Sequence, residues 1–351
     1  MVSLGYNNVL GVGGLQVHLH LHPHPHPIIN VNCVSSNSIP KKVWRSSTTT
    51  TATTTILCVP KLKVKATNSQ GSWAQEQQQQ QQDEDIKVVA AIRSQFNDIL
   101  IVDTSVSRML LLDSTYNVHS ILYKDQKWTG SYWDEFASLP AIVPKGPIAI
   151  FGLGGGTTAR LMLDLWPSLQ LEGWEIDEIL IDKAREYLGL SDLEKRTVGG
   201  GILNVHIGDV LSQSVNASGG YAGIVIDLFS GGKVLPQLQE VKTWLEFNDR
   251  LMPNGRLMVN CGGIDEASNV IDGVVHPKNS SIDGTWVQNS TIKALSKAFP
   301  GKLSWKRMTN KEGENYLALT GPLPDLISWS AVVPGPLSTA VKQWKPCGTF
   351  S

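Results

Sequence analysis

Acidic residues are missing from the start of this chain: Met1 to Gln75 contain no Asp or Glu, although Lys41, Lys42, Arg45, Lys61, Lys63 and Lys65 are basic. Ser and Thr crowd the stretch from Ser35 to Thr55. An acid-poor, basic, hydroxyl-rich segment is what an organelle transit peptide looks like. Long apolar runs are scarce as well. No run of about 18 apolar residues is present for a membrane helix. The first residues also lack the compact apolar centre of a secretory signal. A soluble protein inside an organelle is expected, and the Thr/Ser bias with little Arg favours the plastid stroma.

Cysteine is sparse too. Cys33 and Cys58 fall in the leader, which leaves Cys261 and Cys347, too widely separated to suggest a disulfide framework or a zinc site. The alternating histidines of "HLHLHPHPHP" could in principle bind a transition metal, but proline holds them extended and they lie in the leader. No metal is expected. "AQEQQQQQQDED" is too polar to bury and reads as a linker. Taking away residues 1–66 removes six of the 30 basic residues and none of the 31 acids, so the body carries 24 minus 31, or −7. A mildly acidic body argues against nucleic acid as a partner.

The expected organisation is a transit peptide over 1–66, a Gln-rich linker over 67–85, a small β domain over 86–145, a nucleoside-binding domain over 146–321 and a C-terminal extension over 322–351. From Ile86 to about Trp128, short β-branched and apolar runs are separated by the polar turns "SQFN" and "TSVS", as in a small antiparallel sheet. After "VPKGP" the pattern becomes apolar strand, helix, apolar strand, helix, which is how a parallel sheet with crossover helices is written. "IAIF", "LQLEGWE", "LNVHI", "AGIVIDLF" and "RLMVNC" are the five parallel strands expected, and "LSWKRM" with "NYLALTG" form a closing hairpin. The fold class is therefore α/β, a Rossmann-like, seven-stranded arrangement preceded by a small antiparallel sheet.

Between the first of those strands and its helix stands "GLGGGTTARL". A loop there lies at the carboxyl edge of the sheet, where open α/β sheets bind ligands. It is not a phosphate-gripping P-loop, which would end in Gly-Lys-Ser/Thr, whereas this one ends Gly156-Thr157-Thr158. Gly152 and Gly154 fit the dinucleotide spacing, but the third glycine position is Thr157. Glu175 ends the second strand, where a carboxylate can accept from both ribose hydroxyls of a nucleoside; Asp177 can cap the following helix instead. Asp209 follows the third strand and could either meet an adenine amino group or cap a helix. Asp227 ends the fourth strand and faces the same edge.

In order, "GLGGGTTARL", "WEID", "GDV", "YAGIVID" and "LMPNGRLMVN" resemble the spermidine synthase-like (polyamine aminopropyltransferase-like) branch of the class I S-adenosylmethionine-dependent methyltransferase superfamily, over roughly residues 97 to 321. The resemblance implies a transferase using S-adenosylmethionine or its decarboxylated form on a small-molecule acceptor, with a homodimer as the expected assembly. Gly152, Gly154 and Gly156 would shape the loop against the co-substrate, Glu175 would hold the ribose and Asp209 the adenine. Asp227 would be the catalytic acid group beside the attacking amine, acting as base or electrostatic anchor. Tyr132 would line the acceptor pocket, although it could equally be a core tyrosine.

Three departures accompany the likeness. The carboxylate that aminopropyltransferases place in the glycine loop is here Gly155, whose amide is left to serve a donor carboxylate. The second acid after the catalytic one is Ser230, in the segment expected to gate the acceptor site and near Lys233. Ser138 replaces the residue usual before "LP". Two readings besides a transferase stay open: a non-catalytic relative that binds the nucleoside, and a nicotinamide-dependent dehydrogenase, which Thr157 and the closing hairpin disfavour.

Overall fold

The computed structural model describes residues 86–348, apart from 116, 213–214, 216, 264–269, 272–273, 276–284 and 311–312, and before them only two short antiparallel strands, Leu19–His20 and Asn30–Val31. The rest of the expected transit peptide and the Gln-rich linker lie outside the described residues. The chain divides into two compact units, Met1–His119 and Ser120–Ser351.

The first unit carries an antiparallel meander of β1 (Lys87–Arg93), β2 (Asp98–Asp103) and β3 (Ser107–Leu111). Its turns are built by hydroxyls. Ser94 Oγ accepts from the Asn97 amide at 2.8 Å, and Thr104 Oγ1 from the Ser107 amide at 3.0 Å, each closing a turn with a side chain. Both turns fall where "SQFN" and "TSVS" place them.

The second unit begins with β4 (Ser120–Tyr123) and α1 (Tyr132–Phe136). There follow β5 (Ile148–Phe151), α2 (Thr157–Leu165), β6 (Gln170–Glu175), α3 (Glu178–Tyr187), α4 (Leu190–Leu193), β7 (Ile202–Ile207) and β8 (Tyr221–Ile226). After a small 229–234 hairpin come α5 (Val241–Asn248), β9 (Leu251–Asn260), α6 (Ser290–Ala298), β10 (Leu303–Asn310) and β11 (Gly313–Thr320). α7 (Leu326–Val332), α8 (Leu337–Ala340) and β12 (Lys345–Pro346) complete it.

Eight of these strands form one sheet in the order β12-β10-β11-β9-β8-β5-β6-β7. β7, β6, β5, β8 and β9 are parallel, and beyond them β11 pairs antiparallel with β9, β10 with β11 and β12 with β10. β5 and β8 are buried at every position, as expected of central strands covered on both faces. Sequence order steps outward one way from β5 and the other way from β8, so the two form a topological switch point whose carboxyl ends define the binding crevice. This is the Rossmann-like methyltransferase fold, with an antiparallel hairpin closing the sheet.

The core on one face joins Phe151, Ile224, Ile226, Trp244, Phe247, Val259 and Leu295. The C-terminal extension is folded: Trp329 and Trp344 are each 2% exposed, and β12 pairs with β10. Trp329 Nε1 donates to Ser138 O at 3.1 Å, which ties that extension to the start of the unit. Cys261 and Cys347 are both free thiols; burial raises both, Cys347 to about 12, which leaves them protonated and poor nucleophiles at neutral pH. No helix among the described residues is long and apolar enough to cross a membrane.

Candidate functional site

The glycine loop leaves β5 at Gly152, φ +83°, where an added Cβ would stand 2.2 Å from Asp227 O. Only glycine tolerates both that dihedral and that approach. The loop and the end of β8 are thereby brought together. The amides of Gly152 and Leu153 both donate to Trp174 O at 3.0 Å, which fastens the loop to β6 as well. Gly154, φ +54°, turns its amide onto Glu175 Oε2 at 3.1 Å.

Glu175 also accepts at Oε1 from the amides of Ile176 at 2.9 Å and Asp177 at 3.3 Å. A carboxylate offers about four acceptor positions. Three are used, and the remaining one, on Oε2, suits a single ribose hydroxyl; engaging both hydroxyls would require release of the long Asp177 contact. Burial raises the proton affinity of Glu175 above the ordinary carboxylate value, against the three backbone N–H bonds that lower it. Asp177 takes the helix-capping role, accepting from Leu180 N at 3.2 Å, so Glu175 is left for the crevice.

Gly156 has a different task. At φ +84° it precedes α2, and a Cβ would meet Leu190 Cδ1 at 2.6 Å, so its missing side chain lets α2 pack on α4. Gly155 corrects one expectation. Its amide is not left for a donor carboxylate: it donates to Ser120 Oγ at 2.8 Å, and its Cβ position points at Leu188 Cδ1, 2.5 Å away. β4 clamps the loop a second time through Thr157, whose Oγ1 accepts from Ile121 N at 2.8 Å and donates to Ile121 O at 3.1 Å.

Asp209 is exposed one residue beyond Gly208, whose amide donates to Glu175 O at 2.9 Å, and so lies at the same edge. Its carboxylate accepts from Leu211 N at 2.9 Å in a turn, and among the described residues that follow directly there is no helix for it to cap. Sequence reasoning missed what holds this turn. Arg250, 6% exposed, donates to Val210 O at 2.6 Å and Ser212 O at 3.1 Å, while its guanidinium lies 5.1 Å from the Phe247 ring centroid. It also missed Ile176 and Ile207, large apolar side chains 40% and 44% exposed at the ends of β6 and β7. Glu175 and Ile207 are register partners in parallel strands, so the exposed Ile207 side chain lies on the same face as the Glu175 carboxylate and offers it an apolar neighbour. The signal available was their position at strand ends that lead into the crevice.

Across Gly152, Asp227 Oδ1 accepts from Asn260 Nδ2 at 2.9 Å. Tyr132, from α1, is hydrogen-bonded with Asp227 and Asn260; burial first, then the Asp227 charge, drives its phenol well above the ordinary value. It stays a neutral donor at physiological pH. Tyr132 thus stands at Asp227. Ser230 is exposed in the 229–234 hairpin, paired with Lys233, with Gly231 and Gly232 both at positive φ in the turn. Val234 and Phe229 of that hairpin lie against Gly262, just beyond Asn260, so the hairpin borders the Asp227 end of the crevice. Among the described residues no group of three or more His, Cys, Asp or Glu could hold a metal ion.

The fold and these residues define an open α/β crevice with an acidic group on each side of its switch point. No family model matches the chain. A curated protein, "Probable polyamine aminopropyl transferase" of Bifidobacterium longum, is 26% identical over 216 residues, covering 59% of this chain and 46% of that protein. The chain thus spans about half the length of the curated relative it matches. Among solved structures, a "probable spermidine synthase" from Corynebacterium glutamicum matches with TM-score 0.48 and 15% identity, covering 67% of this chain and 80% of that one. Human methyltransferase-like protein 13 in complex with SAH matches with TM-score 0.40 and 16% identity, covering 62% and 95%. In sequence the chain is similar to the spermidine synthase-like branch, in agreement with its motifs.

Proposed function

We propose that the protein is a transferase of the spermidine synthase-like type that binds S-adenosylmethionine, or its decarboxylated form, and passes a group to a small amine or hydroxyl acceptor. The observation that carries this is the tie between Gly154 and Glu175, which leaves one carboxylate position open beside the exposed Ile207, a match to a nucleoside's hydroxyl and flat base. Asp227 supports catalysis rather than binding alone. When the acceptor attacks, the electron pair of the broken C–S bond goes to sulfur, and the proton released by the acceptor goes to the Asp227 carboxylate, oriented by Asn260.

The intact form is the preferred donor on this reading. A bare ammonium on the donor's tail calls for a carboxylate in a partly dry crevice, and residues 152–158 contain none, while Gly155 has no room for one. The curated relative favours the other donor, since its name is that of an aminopropyl transferase. Calorimetry with S-adenosylmethionine and its decarboxylated form decides. Tighter binding of the intact form supports methyl transfer, tighter binding of the decarboxylated form reverses the preference, and binding of neither removes the proposal.

A further inference from the structure

Asn260 ends β9, is 2% exposed and stands beside Asp227. An asparagine amide has two unlike ends, so whichever end meets a carboxylate decides whether the contact attracts or repels. The backbone settles this. Gly262 N donates to Asn260 Oδ1 at 3.1 Å, a bond only the carbonyl end can accept, and Nδ2 is left to donate to Asp227 Oδ1 at 2.9 Å. The turn that supplies the Gly262 amide is clamped in its own right. Asn289, 2% exposed, donates from Nδ2 to Cys261 O and Gly263 O, each at 2.8 Å, while its Oδ1 accepts from Ile292 N at 3.0 Å and caps α6. A chain of neutral hydrogen bonds therefore runs from the start of α6, through the 261–263 turn, to one oxygen of Asp227.

We propose that Asn260 is the positioning residue of Asp227, its amide locked by Gly262 so that it always presents a donor and holds the carboxylate ionised and in one orientation. The consequence for proton acceptance from an acceptor rests on the proposed function; the effect on Asp227 itself does not. Among the contacts described, Tyr132 of α1 is a titratable group that faces Asp227, whereas Asn260 and the Gly152 backbone are neutral.

The test is the titration of the Asp227 carboxyl carbon by NMR in the full-length, ligand-free protein with labelled aspartate, its signal assigned by its loss in Asp227→Asn. Asn260→Asp keeps the shape and the acceptor for Gly262 but sets a second carboxyl beside the first. Two carboxylates so close share a proton and titrate as a pair. The Asp227 midpoint should rise by at least one pH unit, a tenfold gain in proton affinity. Asn260→Ser, too short to reach, should raise it by less. An unchanged titration in folded Asn260→Asp overturns the proposal; if that variant does not fold, an unchanged titration in Asn260→Ser does so. Because the measurement needs no ligand, its outcome is independent of whether S-adenosylmethionine binds.

Discussion

At the scale of single residues, Glu175 joins a structural and a binding duty in one carboxylate. It holds Gly154 by one oxygen and the entry to α3 by the other, and a ribose hydroxyl would take its last position. Glu175→Ala should therefore weaken S-adenosylmethionine by roughly 1 to 3 kcal/mol, the cost of leaving ribose hydroxyls unpaired in the crevice. Unchanged affinity in calorimetry would remove Glu175 from the site. The pH dependence has a definite sign. Burial raises the Glu175 proton affinity, so the carboxylate is lost at a higher pH than an ordinary glutamate. Affinity should be full at pH 8 and decline on acidification, with the decline setting in above the usual carboxylate range, and should be flat in Glu175→Gln.

At the scale of elements, strands and helices follow directly from patterns in the chain. β5 and β8 are unbroken apolar runs and are buried throughout, while α2, α3 and α6 carry apolar residues at helical spacing. Their caps are local as well. Asp177 sits ahead of α3 and bonds Leu180 N, so Asp177→Ala should cost about 1 kcal/mol of stability in denaturant unfolding; no loss would mean that the neighbouring Glu175 contacts hold the helix start alone. The direction of a glycine's missing side chain is a different matter. Gly152, Gly155 and Gly156 look alike in sequence, yet they face Asp227, Leu188 and Leu190 respectively, because each turn of the loop aims its Cα at another element.

At the scale of the whole molecule, the second unit is closed by a buried charge pair. Lys306 of β10 bonds Glu135 of α1 at 2.5 Å, with side chains 3% and 4% exposed, and also donates to Ala340 O at 2.8 Å. Removing one partner strands a buried charge, whereas replacing both by apolar groups need not. Lys306→Met should cost about 3 to 5 kcal/mol, and Glu135→Leu with Lys306→Met should recover most of it. Equal losses in the single and double variants would show that the pair is not the source. The acid-free start of the chain supports a further prediction. Residues 1–85 fused to a fluorescent reporter should enter plastids and be shortened, as their lack of acids in the first 75 positions implies; a full-length cytosolic reporter would overturn it.

The sequence by itself determined the sheet, the loop at its carboxyl edge and the strand-ending acids Glu175, Asp209 and Asp227, because alternation, apolar runs and glycine turns are local properties of a chain. Tertiary structure alone decided which polar atoms remain available. Ser120 occupies the Gly155 amide from 35 positions away, Asn260 reaches Asp227 across 33, and Asn289 pins the 261–263 turn through a backbone contact as distant as 28. Such pairings depend on strands brought side by side by the sheet order, and no spacing in the chain encodes them. The C-terminal Trp329 and Trp344 obey the same rule: their burial exists only once α7, α8 and β12 have packed on the unit they close.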